Sequence, residues 1–340
     1  MTTYIGILGG GGISDTHARA ASEVPDTKIV AIAGSNASKV KALADRHGAA
    51  AYADIGAMLA NQRFDVLLIG TPSALHAEPG IQAARAGVHV LVEKPLDVTL
   101  PKCDALIQAC ATANVKLGVF FQERFAPDLM RLKDAIEARA LGRPLLGSAR
   151  VKWWRPAEYY ANSKWRGKQA LDGGGAVMNQ GVHTIDTLLW LFGDVTRVFA
   201  RKTAAIHAIE VEDTLVATLE FTNGALMTFE ATTAAYPGYP RQMELTFEEG
   251  TVIVEQDRIA SATLRAAKLE STQVVSTNAA AASPVVSDVR GHKAAIEDFL
   301  RAIRENGEPK CNGPEGRRSV AVVDALYRSA ETGDPIKLSA

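Results

Sequence analysis

Short apolar runs alternate with amphipathic stretches along the first third of the chain. Strand-like runs over Tyr4 to Leu8, Lys28 to Ala33, Val66 to Ile69, Val88 to Val92 and Lys116 to Phe120 are separated by helical patterns. The helices open near Ser14 and cover Ser38 to His47, Ala77 to Ala86 and Pro101 to Ala113. Strands and helices interleaved at this spacing predict βαβ units and a parallel sheet, an α/β fold whose working edge is the carboxyl ends of its strands. After residue 122 the rhythm changes. A helix is expected over Leu129 to Arg139, followed by longer alternating runs over Leu215 to Phe221, Ala225 to Ala231, Gln242 to Phe247 and Thr251 to Glu255, with Asn223-Gly224 as a hairpin turn between the first two. These predict a large, mostly antiparallel open sheet with one helix-covered face. Burial of its other face by a second copy makes a homo-oligomer, a dimer or tetramer, the expectation. Ser276 to Asp288 has no period and reads as a loop, whereas Ile296, Phe299, Leu300 and Ile303, and then Val320, Val323, Tyr327 and Ala330, have helical spacing. The expected division is a dinucleotide-binding Rossmann domain over 1–122, an α+β domain for substrate and oligomerisation over 123–290, and helices over 291–340 that pack back on the first domain.

Composition adds exclusions. A chain of 340 residues is more than one hydrophobic core usually serves, and a balance of 37 basic against 38 acidic residues gives no bulk attraction for nucleic acid or an anionic membrane. Cys103, Cys110 and Cys311 are odd in number and form no C-x-x-C pair, which fits a reducing compartment. No secretory pattern opens the sequence and no apolar run approaches the ~18 residues of a membrane span, so a cytoplasmic location without membrane contact is expected.

The candidate chemistry begins at "GILGGGGISDTH", after the first strand and at the start of a helix. Gly9, Gly11, Gly12, Ile13 and Ser14 suit a turn that brings backbone close to a pyrophosphate, whose charge meets free N–H groups at the helix start. The second strand should end on an acid if the cofactor is NAD. Here it ends on Gly34-Ser35-Asn36, and Ser35, Asn36 and Lys39 can donate to a 2'-phosphate, so NADP(H) is expected, with NAD the alternative if Gly34 only shapes a turn. The run Val88 to Val92 then ends abruptly in Glu93-Lys94-Pro95. An acid, an amine and a proline at the end of a core strand need a reason.

The glycine turn, Thr71-Pro72 with His76, Glu93-Lys94-Pro95, "WRGKQALDGGGAVMNQGVHTID" and "SVAVVDALYRSAETG" together resemble the Gfo/Idh/MocA family (glucose-fructose oxidoreductase/inositol dehydrogenase) over nearly the whole chain. The resemblance implies that Thr71, Pro72, His76, Glu93 and Lys94 lie beside the cofactor, that Lys94 also meets the reacting oxygen of the substrate, and that Pro95 follows a cis bond. It places Trp165 and Arg166 near the cofactor and the catalytic histidine on His183. The family commonly has an aspartate four residues before that histidine, and this chain has Asn179. On a regular helix the two would share a face. An amide orients an imidazole or a sugar hydroxyl but takes no proton, so His183 must carry the base role. Asp186, a turn further on, reads as a structural pair.

Trp153, Tyr159 and Tyr236, with Trp154 and Tyr160 beside them, are candidates for stacking on sugar C–H faces. Base stacking on nucleic acid is the rival use of such residues, and the charge balance opposes it. Glu210, Glu212 and Asp213 would alternate in direction along a strand, and no metal is expected. The expected activity is NADP(H)-dependent hydride transfer at a secondary alcohol or ketone carbon of a sugar, cyclitol or derivative. Alternatives are a nucleotide-sugar dehydrogenase, a glycosidase that oxidises transiently with a held cofactor, and a nicotinamide-sensing regulator.

Overall fold

The structure, a computed structural model, describes residues 2–266, 268–269 and 288–338. Of the expected loop over Ser276 to Asp288, residues 276–287 lie outside the described residues. The chain divides into two compact units, Met1–Gln122 with Val285–Arg317, and Glu123–Pro284 with Arg318–Ala340. The stretch 291–340, expected to pack as a whole on the first domain, is thus shared between the units, with the division falling inside the helix Gly313–Thr332.

The first unit holds β1 (Thr3–Leu8), β2 (Thr27–Ala33), β3 (Ala50–Tyr52), β4 (Val66–Ile69), β5 (His89–Glu93) and β6 (Leu117–Phe120). They form one parallel sheet in the order β3-β2-β1-β4-β5-β6. Every residue of β4 and of β6 is buried, which is why these strands read as unbroken apolar runs. The order reverses direction between β1 and β4, and ligands of such sheets bind outside the carboxyl ends at this switch. No pattern in the sequence marks β3 or the helix Ile55–Asn61, because a three-residue strand with two exposed alanines has no legible alternation. The helix Arg290–Arg304 lies on β6: a Cβ on Gly118 would stand 2.8 Å from the Phe299 ring.

The second unit is built on β7 (Pro144–Lys152), β8 (Val195–Thr203), β9 (Thr214–Phe221), β10 (Leu226–Thr232), β11 (Gln242–Phe247), β12 (Gly250–Glu255), β13 (Arg258–Leu264) and β14 (Ile336–Lys337). The order is β13-β12-β11-β7-β10-β9-β8-β14, antiparallel except between β7 and β10. Strict alternation buries Val151, Leu219, Phe229 and Leu245 on one face, where Phe192 of the helix Val182–Phe192 meets the rings of Phe221 and Phe247 at 5.6 and 5.4 Å. The other face leaves Leu146, Val216 and Leu226 about half exposed, at 55, 50 and 53%, and Leu146 pairs directly with Leu226. Among the described residues, no helix is long and apolar enough to cross a membrane.

A buried carboxylate organises the glycine stretch of this unit. Glu212 accepts hydrogen bonds from the amides of Gly175 and Val177 and from the Tyr327 hydroxyl, each at 2.9 Å. Burial raises the pKa of this carboxyl, and the bonds from Val177 and Tyr327 oppose the shift. A Cβ on Gly175 would lie 1.6 Å from the Glu212 carbonyl oxygen, whereas one on Gly11 would meet open space. Gly175→Ala should therefore lower the urea midpoint by a loss above about 3 kcal/mol, and Gly11→Ala by at most about 1 kcal/mol, as read from denaturation followed by tryptophan fluorescence. Equal losses would refute the packing argument.

Candidate active site

At the carboxyl end of β1 the chain turns through Gly9, where φ is +126° and a Cβ would stand 2.3 Å from Ser14 Oγ and 2.6 Å from the Gly70 carbonyl oxygen. Only glycine fits there. Ser14 is buried under the turn, while Gly11 and Gly12 are exposed with nothing within 4 Å of an added Cβ. Gly11 caps the helix Gly12–Ser22 without a side-chain bond, so its first amides, at Gly12 and Ile13 among them, have no side-chain acceptor at the cap. A cradle of this kind fits a pyrophosphate. After β2, Ser35, Asn36 and Lys39 are all exposed, and Asn36 Oδ1 caps the next helix by accepting the Lys39 amide at 3.1 Å, a bond that does not use the donors of its NH2 group.

Glu93 explains the end of β5. It is 7% exposed, and one oxygen, Oε1, lies 2.9 Å from His17 Nε2 and 3.5 Å from His292 Nε2, with both histidines buried. Its other oxygen accepts the Lys94 amide at 3.2 Å. The acid thus pins the backbone that carries the half-buried Lys94, and a cis Lys94-Pro95 bond follows. The Pro95 carbonyl lies 2.8 Å from Nδ1 of buried His76, whose Nε2 lies 3.0 Å from the Thr71 carbonyl, so His76 ties the Thr71-Pro72 turn to the Lys94 strand end. Burial lowers the His76 pKa against the pull of those two carbonyls. His17, Glu93 and His292 also have donor atoms within 4.8 Å of one another. The 2.9 Å His17–Glu93 contact is a hydrogen-bond length, shorter than the about 3.3 Å between two tetrahedral metal ligands.

In the second unit His183 and Asn179 take different partners. Val177–Gly181 forms a π-helical turn ahead of the helix Val182–Phe192, and its wider pitch breaks the phase that a four-residue spacing assumes. Asn179 Nδ2 donates to Asp172 Oδ1 at 2.8 Å, while His183 Nδ1 lies 3.6 Å from Glu123 Oε1. Glu123 Oε2 is held by Arg241, which also donates to Asp257 and, at 2.9 Å, to the Gln256 carbonyl. Asp186 forms a two-pronged pair with Arg124, at 2.8 and 2.7 Å, with both buried, the structural role expected of it. Glu210, Glu212 and Asp213 diverge: Glu210 accepts the Gln169 amide, Glu212 serves the glycine stretch, and Asp213 caps the amides of Ala205, Ile206 and His207.

The aromatic residues form a basic stack. Tyr159 has Arg155 5.4 Å and Arg166 4.5 Å from its ring centre, Arg155 also covers Trp153 at 5.1 Å, and Arg166 covers Trp165 at 5.0 Å. Tyr236 is three-quarters exposed and meets Trp154 edge-on at 5.5 Å.

Residues 3–121 match the model of an oxidoreductase family with an NAD-binding Rossmann fold, and residues 129–253 match the GFO/IDH/MocA C-terminal domain. The chain belongs to the Gfo/Idh/MocA oxidoreductase family. Among curated relatives of this member, D-apiose dehydrogenase of Paraburkholderia graminis is 27% identical over 98% of this chain and 88% of its own. Inositol 2-dehydrogenase of Rhizobium meliloti is 26% identical over 97% of both chains. The WlbA dehydrogenase of Bordetella pertussis, solved in complex with NADH and UDP-GlcNAcA, is 32% identical over the whole of both chains, with a TM-score of 0.89. Relatives of this Gfo/Idh/MocA member are thus named dehydrogenases of sugars and inositol, oxidoreductases acting on CH–OH.

No local pattern marks Glu123 or Asp172; the one signal is Asn179, which departs from the aspartate of the family's pattern. The Glu93 cluster also sets a pH dependence. Burial raises the Glu93 pKa, but the hydrogen bonds from His17 and His292 outweigh it and hold the carboxyl well below its ordinary 4.5. That stability is present above 4.5 and is lost as pH falls through the lower folded value. Burial keeps the His17 pKa below 6.5, so acid protonates the unfolded chain first and costs stability below 6.5. Both act in one direction. The urea-midpoint difference between wild type and His17→Gln, which isolates this cluster from buried acids such as Glu212 that titrate in the opposite sense, should shrink from pH 7 to pH 4. A difference constant over the range would contradict this.

Proposed function

We propose that this family member is an NAD(P)(H)-dependent dehydrogenase that oxidises a secondary alcohol carbon, or reduces the matching ketone, on a sugar, cyclitol or sugar derivative. The observation that carries the reading lies in one sheet: an open, uncapped glycine turn after β1 and a lysine fixed by Glu93 at the carboxyl end of β5. The bound nicotinamide supplies the hydride acceptor or donor. Lys94 donates to the substrate oxygen and stabilises the alkoxide as it forms, and His183 takes the hydroxyl proton and returns it in reduction. Gly9, Gly11, Gly12, Ile13 and Ser14 cradle the pyrophosphate. Thr71, Pro72, His76, Trp165 and Arg166 border the cofactor, Asn179 orients the substrate, and Trp153, Tyr159 and Tyr236 stack on it. NADP(H) is the proposed form, supported by the exposed Ser35, Asn36 and Lys39 where an NAD enzyme would have a carboxylate. The half-exposed apolar face of the eight-stranded sheet supports a homo-oligomer, and a cytoplasmic location completes the reading.

A second reading is a nucleotide-linked sugar as substrate. It is favoured by the 32% identity to a dehydrogenase solved with NADH and UDP-GlcNAcA and by the Arg155 and Arg166 stack, which suits an anionic group. Purified protein with NADP+ or NAD+ and a panel of free sugars, inositols and UDP-linked sugars separates these by absorbance of the reduced cofactor. Glycoside cleavage without net reduction would indicate the glycosidase, and cofactor binding without any turnover the sensor. Lys94→Ala and His183→Ala should each lower kcat by at least about a hundredfold. Lys39→Glu should raise the KM for NADP+ by about tenfold and leave that for NAD+ unchanged, which steady-state kinetics would read. An equal effect on both cofactors would remove the case for the phosphorylated one.

A further inference from the structure

We propose that Glu123 is the carboxylate partner of His183, a positioning residue that fixes the ring's tautomer and supports the imidazolium formed when the ring takes a proton. It supplies what Asn179 cannot. The inference rests on the dehydrogenase reading above and names a residue which that reading leaves out.

Glu123 sits in the single helical turn Gln122–Phe125, with its Oε1 3.6 Å from the buried Nδ1 of His183. That is ion-pair distance and longer than a formed hydrogen bond, as acid–base contacts often are before substrate arrives. A carboxylate on Nδ1 favours the tautomer with its proton there, which leaves the Nε2 lone pair as the ring's acceptor. In oxidation the substrate hydroxyl proton passes to Nε2, the C–H electron pair leaves as hydride to the oxidised nicotinamide, and the Nδ1 proton stays toward Glu123. The ring gains one positive charge, and Glu123 is the carboxylate placed to meet it.

Glu123 is itself held. Arg241 grips its second oxygen and is anchored in turn on Asp257 and the Gln256 carbonyl. Burial works against the Arg241 charge, but the carboxylates of Glu123 and Asp257 more than offset it, so the guanidinium remains charged. Other charges near His183 in the sequence are committed elsewhere: Asp186 to Arg124, and Asp172 to the Gly167 amide and Asn179. Glu123 Oε1 lies at ion-pair distance from the ring.

The test is Glu123→Gln in the full-length protein, with Glu123→Asp as the conservative control and far-UV circular dichroism to establish folding. In substrate-free protein, the ring of His183, assigned through His183→Gln, is titrated by nitrogen-resolved NMR. The wild-type ring should carry its proton on Nδ1 when neutral. Glu123→Gln should titrate at lower pH, and Glu123→Asp near the wild type. With a substrate from the panel, Glu123→Gln should lose about ten- to a hundredfold in kcat, with cofactor Kd unchanged and the acidic limb of the pH–rate profile moved to lower pH. An unmoved titration and an unmoved limb in the folded variant would overturn the proposal, even if the rate fell. Should the wild type turn over no substrate, the dehydrogenase reading fails, and the titration still decides the Glu123 pairing.

Discussion

The working end of the first unit depends on one buried carboxylate. Burying Glu93 is costly unless its charge is met, and it is met by His17 from the helix after the glycine turn and His292 from the helix Arg290–Arg304. One acid therefore ties three elements that are far apart in sequence, and through the Lys94 amide it sets the backbone of the amine. The same contacts indicate how the ring of His17 is protonated. Its Nε2 faces Glu93, and its Nδ1 is buried without a hydrogen-bond partner among the described residues. An unpaired lone pair there costs less than a stranded N–H, so the neutral ring with its proton on Nε2 is favoured, in agreement with the lowered pKa of this histidine.

The second unit repeats the pattern of buried charges met by fixed partners. Asp186 on the helix of His183 pairs with Arg124, Glu212 holds Tyr327 and two amides of the glycine stretch before that helix, and Asp213 holds three amides and His207 in the loop after β8. Each acid replaces its lost hydration with directed donors, so these groups hold geometry more than they add stability.

The parallel sheet was legible because strands buried on both faces are unbroken apolar runs, and the glycine turn because its backbone demands are met by few residues. The strands β7 and β8 were not, since each mixes exposed basic or hydroxyl residues with buried ones, and β7 contains a glycine that accommodates Met227. Glu123 and Arg241 were hidden for a different reason. Neither "QER" after β6 nor "YPGYPR" before β11 carries a pattern that pairs one with the other, since their contact spans 118 residues and no local pattern encodes it.

The departure at position 179 shows how such a contact changes the meaning of a residue. The π-helical turn is anchored by Glu212, which takes the amides of Gly175 and Val177 just before it widens. Out of phase with a regular helix, residue 179 comes against Asp172, a buried carboxylate that also receives the Gly167 amide. An aspartate at 179 would set two carboxylates 2.8 Å apart in a buried setting, so one of them would have to hold a proton. Asparagine donates to Asp172 and removes that conflict. The amide is thus matched to its own neighbour, and the carboxylate beside His183 Nδ1 is that of Glu123, itself held by the buried Arg241.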